Sequence, residues 1–425
     1  MAAQVPREIA NAIVDPKAYA DGGRIDAALR WLRRHAPLAR AEPDHYRPFW
    51  VVTRHDDILE VERRSDVFRA GDTFTTLTSI ADSAHIMTVT DGSPRLLRQL
   101  LQMDGTEHAV HRRLTQGWFM PQKLSRLEAR IRVLARHHVD RMAGSGGHCD
   151  FVQDVALHYP LALILELLGV PAEDAPLLQR LSGEVLGSSD PDLSRNRTPN
   201  GAEGAAIAGH QAAVAELMSY FAQLSAARQK MPGDDLTSLL TRATIDGDPL
   251  GELELLSYCI AFVCAGFTTS CTLAGALWAL LDHPDQMTKL QDGNVPLDSM
   301  IEESLRWVTP VKHLMRSAAA DTEVAGVKIA EGDWLLLSFP SGNRDDRVFD
   351  EPFRFNIART PNRQQAFGAG PHLCLGRHLG HLQMRLFWEE LLGRLAAIEW
   401  DGVPRNMEAN YVCGPKSVPV RFKVH

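Results

Sequence analysis

The densest chemistry in this chain lies in one run, Phe367-Gly368-Ala369-Gly370-Pro371-His372-Leu373-Cys374-Leu375-Gly376. A thiolate that binds iron needs a loop tight enough to aim sulfur at the metal and N–H donors that soften its charge. Gly368, Gly370 and Gly376 can take the positive-φ backbone that side chains block and turn amides toward the sulfur, while Pro371 stiffens the turn. Leu375, Leu379, Leu382, Leu386 and Phe387 recur at helical spacing over 375–392. Cys374 would then sit at a helix N-terminus, where the dipole favours negative charge and lowers the thiol pKa. A free core cysteine beside a glycine-rich turn is the plainer reading of an isolated Cys. So many spaced features in ten residues argue against it.

The run resembles the haem-ligating signature of the cytochrome P450 family, F-x-x-G-x-[HR]-x-C-x-G, matched by Phe367, Gly370, His372, Cys374 and Gly376. The resemblance implies haem b with Cys374 as axial thiolate, whose electron donation favours O–O cleavage. His372 would reach a haem propionate. The resemblance covers nearly the whole chain and implies one haem-binding domain over residues 1–425, mainly α with small β-sheets, in that family's triangular helical fold.

Three further segments gain meaning from it. Asp104-Gly105-Thr106-Glu107-His108 with Arg112 resembles the family's D-P-P-E-H-x-x-x-R, with Gly105 and Thr106 in place of the prolines. His108 and Arg112 share a helix face and, with Arg316, would supply cations to the propionates; a solvated His and Arg is the bland alternative. Ala265-Gly266-Phe267-Thr268-Thr269-Ser270 resembles the oxygen-binding A-G-x-[DE]-T-[TS]. Small residues such as Gly266 admit dioxygen, and the Thr269 hydroxyl would hold a proton-relaying water. Thr268 stands where the family carries its acid, which raises the question of another proton route. An intrahelical threonine bonded back to its own turn is the structural alternative. Glu303 and Arg306, three apart, can pair on one helix face, and Pro352-Phe353-Arg354-Phe355 resembles the family's P-E-R-F with Phe353 in place of Glu. By that resemblance Glu303, Arg306 and Arg354 form a buried structural network beneath the haem loop. Ile86, Met87, Leu96, Leu97, Leu100, Phe262, Ala265, Phe267, Val311, Leu314, Tyr411 and Val412 would line the substrate pocket in the family's layout, though each is equally suited to ordinary core.

The elements that must position these groups follow from the rest of the chain. At 425 residues and 45% hydrophobic content there is ample core. With 45 basic against 53 acidic residues, the charge balance argues against a general nucleic-acid binder. The six cysteines show neither C-x-x-C nor a disulfide framework, which points to a reducing, cytoplasmic setting. Residues 1–20 carry Arg7, Glu8, Asp15 and Lys17 and read as neither signal peptide nor membrane anchor. Residues 255–281 are apolar enough to span a bilayer. Acidic flanks and the band Thr268, Thr269, Ser270 and Thr272 favour a buried helix instead. Residues 49–53 read as a strand, 70–93 as a long polar loop, and 107–281 as mainly helical with breaks at 144–147 and 187–204. Strands return near 324–329, 334–339 and 418–424.

The resulting expectation is a haem-thiolate monooxygenase that hydroxylates a small hydrophobic compound, whether terpenoid, steroid, fatty acyl or aromatic, with O2. No flavin or nicotinamide fingerprint is evident, so a ferredoxin and its reductase would supply electrons, docking on Arg113, Lys123, Arg126, Arg377 and Arg385. The protein is expected to be a cytoplasmic monomer. A haem-binding sensor or carrier without turnover, or a peroxide-driven peroxygenase, is the rival reading.

Overall fold

A computed structural model describes residues 4–195 and 205–425. The helix Glu252–Asp282 runs through its centre, starting after Gly251 with Glu252 and Glu254 in its first turn and stopping before Pro284. Its apolar residues point all round, and the helices Tyr159–Leu167, Ala205–Lys230 and Leu297–Val308 pack against it. A helix apolar on every face belongs in a core, and most of this one is buried inside the protein, as its polar band implied. The helix Arg377–Leu392 follows the cysteine loop and packs on Pro121–Ala143.

A five-stranded sheet flanks the helical mass: β1 (Leu38–Ala41), β2 (Phe49–Val52), β3 (Phe68–Arg69), β4 (His313–Ala318) and β5 (Trp334–Ser338), in the order β1-β2-β5-β4-β3. The β2–β5 pair is parallel, with Leu336 opposite Val51, and the other three are antiparallel. A second sheet joins His148–Asp150, Leu395–Trp400 and Pro419–Val424. The chain is therefore mainly α with small sheets, as expected.

Two local expectations change. Residues 70–93 are not all loop: Ile80–Val89 is helical, started by Ser79, whose Oγ accepts from the Asp82 N–H at 3.0 Å. The region at 324–329 is a hairpin, Thr322–Val324 against Val327–Ile329, turning on Ala325 and Gly326, both with positive φ. Of the break foreseen at 187–204, residues 196–204 lie outside the described residues.

Candidate active site

The Cys374 N–H donates to the Phe367 carbonyl at 2.9 Å, closing the loop on itself. Gly368 and Gly370 hold φ of +67° and +63°. They are also needed for close approach, because a Cβ on Gly370 would lie 2.3 Å from the Glu62 carbonyl oxygen. Gly376 differs from expectation: its φ is −86°, and its contribution is the N–H it turns toward sulfur. The helix begins at Arg377 rather than at Leu375. Cys374 opens onto a cavity of about 460 Å³. Burial pushes its thiol above the ordinary value, against the opposing pull of the Gly376 N–H, Arg112 and Arg377. The helix terminus does not win that balance by itself, so deprotonation has to come with metal binding.

On one flank of the loop, cationic and imidazole groups converge. Arg112 donates to the Leu373 carbonyl at 2.7 Å. Arg316 is 2% exposed, and its Nη1 donates only to the Met315 carbonyl, at 2.9 Å. No carboxylate pairs with it among the described residues. His108 and His372 stand with ring centroids 4.4 Å apart, and His372 Nε2 lies 3.7 Å from Asp104. Burial, with His372 and Arg112 adding to it, pushes His108 down to about 4. Burial lowers His372 as well. Burial thus disfavours the cation expected at His108, and Arg112 and Arg316 carry the positive charge. Sequence reasoning missed Glu62, which lines the cavity; burial pushes its carboxyl up to about 7 against the pull of Arg316.

Opposite the thiol, the central helix presents Ala261, Cys264, Ala265, Thr268, Thr269 and Thr272 to the cavity. These positions follow helical spacing, one stripe of one face. Thr268, Ser270 and Thr272 spend their hydroxyls on the carbonyls of Ala265, Gly266 and Thr268 at 2.8, 3.2 and 3.1 Å. Thr269 has no partner among the described residues and keeps its hydroxyl for the cavity. Gly266 does not line the cavity. A Cβ there would meet Leu161 and Ile164, so its role is helix packing.

Ile86, Leu96, Leu97, Val311, Leu314, Tyr411 and Val412 line the cavity as expected, whereas Met87, Leu100, Phe262 and Phe267 do not. Phe262 stacks on Phe119 with centroids 5.4 Å apart, Phe267 packs beside the N-terminal helices, and Met87 points outward. For the two phenylalanines the helical phase is wrong. The loop 75–78 and His210 join the lining without having been foreseen.

Two of these lining loops are tied by one residue. His313, fully buried on β4, accepts the Leu77 N–H at Nε2 (2.9 Å) and donates Nδ1–H to the Asn410 carbonyl (2.9 Å). Only the neutral ring can do both, and burial holds its pKa at about 4. His313→Phe should strand both backbone groups at about 1–3 kcal/mol each. Substrate affinity is expected to fall more than turnover, with partial rescue in His313→Gln, as read by spectral titration. Because the folded pKa is depressed below 6.5, this residue's contribution is present above pH 6.5 and is lost as pH falls toward 4. A His313→Phe variant whose acid unfolding midpoint and substrate affinity match wild type would remove the clamp.

Beneath the loop, Glu303 and Arg306 form a bidentate pair at 2.7 Å, both fully buried. Arg306 also donates to the Asn343 and Pro352 carbonyls at 2.9 Å. The third side chain is Arg359, whose Nε donates to Glu303 at 3.1 Å, and not Arg354. Arg354 turns outward to Glu351, its side chain 57% exposed, and contributes only its carbonyl. Asn356 N–H and Asn362 complete the shell around Glu303.

A deep cavity with an unpaired buried arginine, a second arginine and two imidazole donors on one side, and a thiol aimed inward fits a flat dianionic group that carries iron. Haem b meets that description. It would be held by Cys374, Arg112, Arg316, His108 and His372.

Comparison with known proteins agrees. Residues 295–420 match the family model described as Cytochrome P450. The chain is 37% identical to Cytochrome P450-terp of a Pseudomonas species, covering 99% of this chain and 98% of that protein. It is 33% identical to a steroid C26-monooxygenase of Rhodococcus jostii, over 96% and 84% of the two. The crystal structure of CYP108D1 from Novosphingobium aromaticivorans superposes with a TM-score of 0.89 at 38% identity, over 99% of this chain and all of that one. Sequence likeness of that extent, with the same fold, leaves one assignment: the chain belongs to the cytochrome P450 family, and it is an oxidoreductase of the haem-thiolate monooxygenase class.

Proposed function

We propose that this enzyme hydroxylates a small hydrophobic compound, of terpenoid, steroid, fatty acyl or aromatic type, using O2 and two electrons from a ferredoxin and its reductase. The observation that supports this most is the unengaged Thr269 hydroxyl on the wall of the same apolar cavity that Cys374 enters. Haem b, when bound, supplies dioxygen activation. Cys374 ligates and tunes it, and Arg112 and Arg316 neutralise its carboxylates. Ile86, Leu97, Ala265, Val311, Leu314 and Val412 exclude water and hold the substrate's hydrocarbon. Thr269 Oγ orders a water and passes its proton toward the reacting oxygen. Thr268, bonded to its own helix, adds no carboxylate, so the proton's path runs through Thr269 and water. Among the relatives, a steroid C26-monooxygenase fits the steroid member of that range.

Electron delivery fits the basic groups Arg113, Lys123, Arg126 and Arg377 around the loop, none of which is ion-paired among the described residues. Arg385 lies 3.8 Å from Glu128 and is less available. A cytoplasmic monomer, folded as one domain, completes the reading.

Product formation with NADH and surrogate redox partners, set against peroxide alone, tests it. Turnover with peroxide and none with electrons would favour the peroxygenase. Thr269→Ala should send most reducing equivalents to hydrogen peroxide while Thr269→Ser keeps them in product, measured as product per NADH consumed. Equal coupling in Thr269→Ala and wild type would make Thr269 a packing residue.

A further inference from the structure

Far from the chemistry above, the helix Gly23–His35 and the segment 344–353 enclose a second cleft, of about 170 Å³. Four arginines line it, Arg30, Arg33, Arg34 and Arg344, and Phe353 forms its floor. None of the four makes an ion pair among the described residues. Arg33 and Arg344 are only 7% and 8% exposed. Arg33 donates to Ser341 Oγ at 2.9 Å, and Arg344 to the Arg306 and Trp307 carbonyls at 3.1 and 2.9 Å. The Arg344 Nε–H, buried, has no acceptor. The guanidinium carbons of Arg30, Arg33 and Arg344 stand 4.0, 5.9 and 5.9 Å from the Phe353 ring centre.

The surrounding carboxylates do not balance this charge. Asp345 spends its oxygens on the His55 and Arg347 N–H groups at 3.0 and 3.1 Å. Asp346 sits exposed at the rim, and Asp26 lies in the shallower opening that continues past Trp31 and His35. Glu303, the remaining carboxylate near Arg344, is already paired to Arg306 and Arg359. Two buried cations without an ion-paired partner are expensive, and desolvation pulls both below their ordinary pKa, Arg344 to about 10.

We propose that this cleft binds a small phosphate-class polyanion, gripped by Arg30, Arg33, Arg34 and Arg344 above Phe353. Guanidinium forks match phosphate oxygens in geometry as well as charge, and the apolar floor strengthens each contact by excluding water. A singly charged carboxylate would leave most of the cluster uncompensated. Because Arg344 holds the carbonyls that end the helix Leu297–Val308, an occupied cleft also braces the helix that carries Glu303 and Arg306.

The test is isothermal titration of the haem-loaded protein with pyrophosphate and with inorganic phosphate, at ionic strength held constant with chloride, alongside thermal unfolding. Saturable one-site binding and a raised Tm are expected for wild type. The double variant Arg30→Gln/Arg34→Gln, altered only at exposed positions, should bind roughly tenfold more weakly or worse. Phe353→Glu should abolish binding and raise the Tm in anion-free buffer, since it supplies the missing carboxylate. No saturable heat above the chloride control, or equal affinity in wild type and the double arginine variant, would overturn the proposal. If Phe353→Glu does not fold, the arginine pair decides alone.

Discussion

Glu303→Ala is expected to cost the fold about 3–5 kcal/mol and most of its haem, because the change leaves Arg306 and Arg359 buried without their anion. The loss is not confined to the pair. Glu303 also accepts from the Asn356 N–H and from Asn362, so four donors lose one acceptor group. Arg306 in turn holds the carbonyls of Asn343, Pro352 and Arg354, and those contacts join the helix Leu297–Val308 to the segment leading toward Cys374. Arg359→Ala should move stability and haem content in the same direction by a smaller amount, since Arg359 makes one of the two ion pairs. Arg354→Ala should stay within about 0.5 kcal/mol of wild type, as an exposed side chain paired to an exposed Glu351 would. Thermal unfolding and the ratio of haem to protein absorbance check all three. If Arg354→Ala proves as damaging as Glu303→Ala, the network has been drawn with the wrong arginine.

That arginine shows where sequence stops being legible. Glu303 and Arg306 were readable because three residues on one helix fix their proximity. Whether Arg354 or Arg359 closes the network depends on how an irregular segment folds back, which no local spacing determines. The cysteine loop was readable for the opposite reason: its demands on residue type fall on ten consecutive positions. In the central helix the chemistry at Thr269 fixed the phase, and following that phase gives Ala261, Cys264, Ala265 and Thr272. Phe262 and Phe267, placed at the pocket by the family's layout, belong to other faces of the helix. Glu62 meets Gly368 and Gly370 from a distant part of the chain, and His313 reaches Leu77 and Asn410 across 236 and 97 positions, so neither leaves a local mark. The helix Ile80–Val89 did leave one, the Ser79–Asp82 cap, which a polar stretch of weak periodicity concealed.

Cys374 carries the largest expected effect. Its sulfur sits in the cavity with the Gly376 N–H turned toward it and Arg112 nearby, an arrangement that stabilises a metal-bound thiolate although burial alone keeps the free thiol protonated. Cys374→His should retain haem through Arg112, Arg316 and the neighbouring imidazoles, yet lose monooxygenase turnover, because imidazole cannot push electron density as a thiolate does. The direct measurement is the absorption spectrum of the reduced, CO-bound protein, wild type beside Cys374→His. The account predicts the strongly red-shifted Soret band of a thiolate ligand in wild type and its absence in the variant with haem still bound. A wild type without that band, or a variant that keeps it, would contradict the assignment of Cys374 as the ligand.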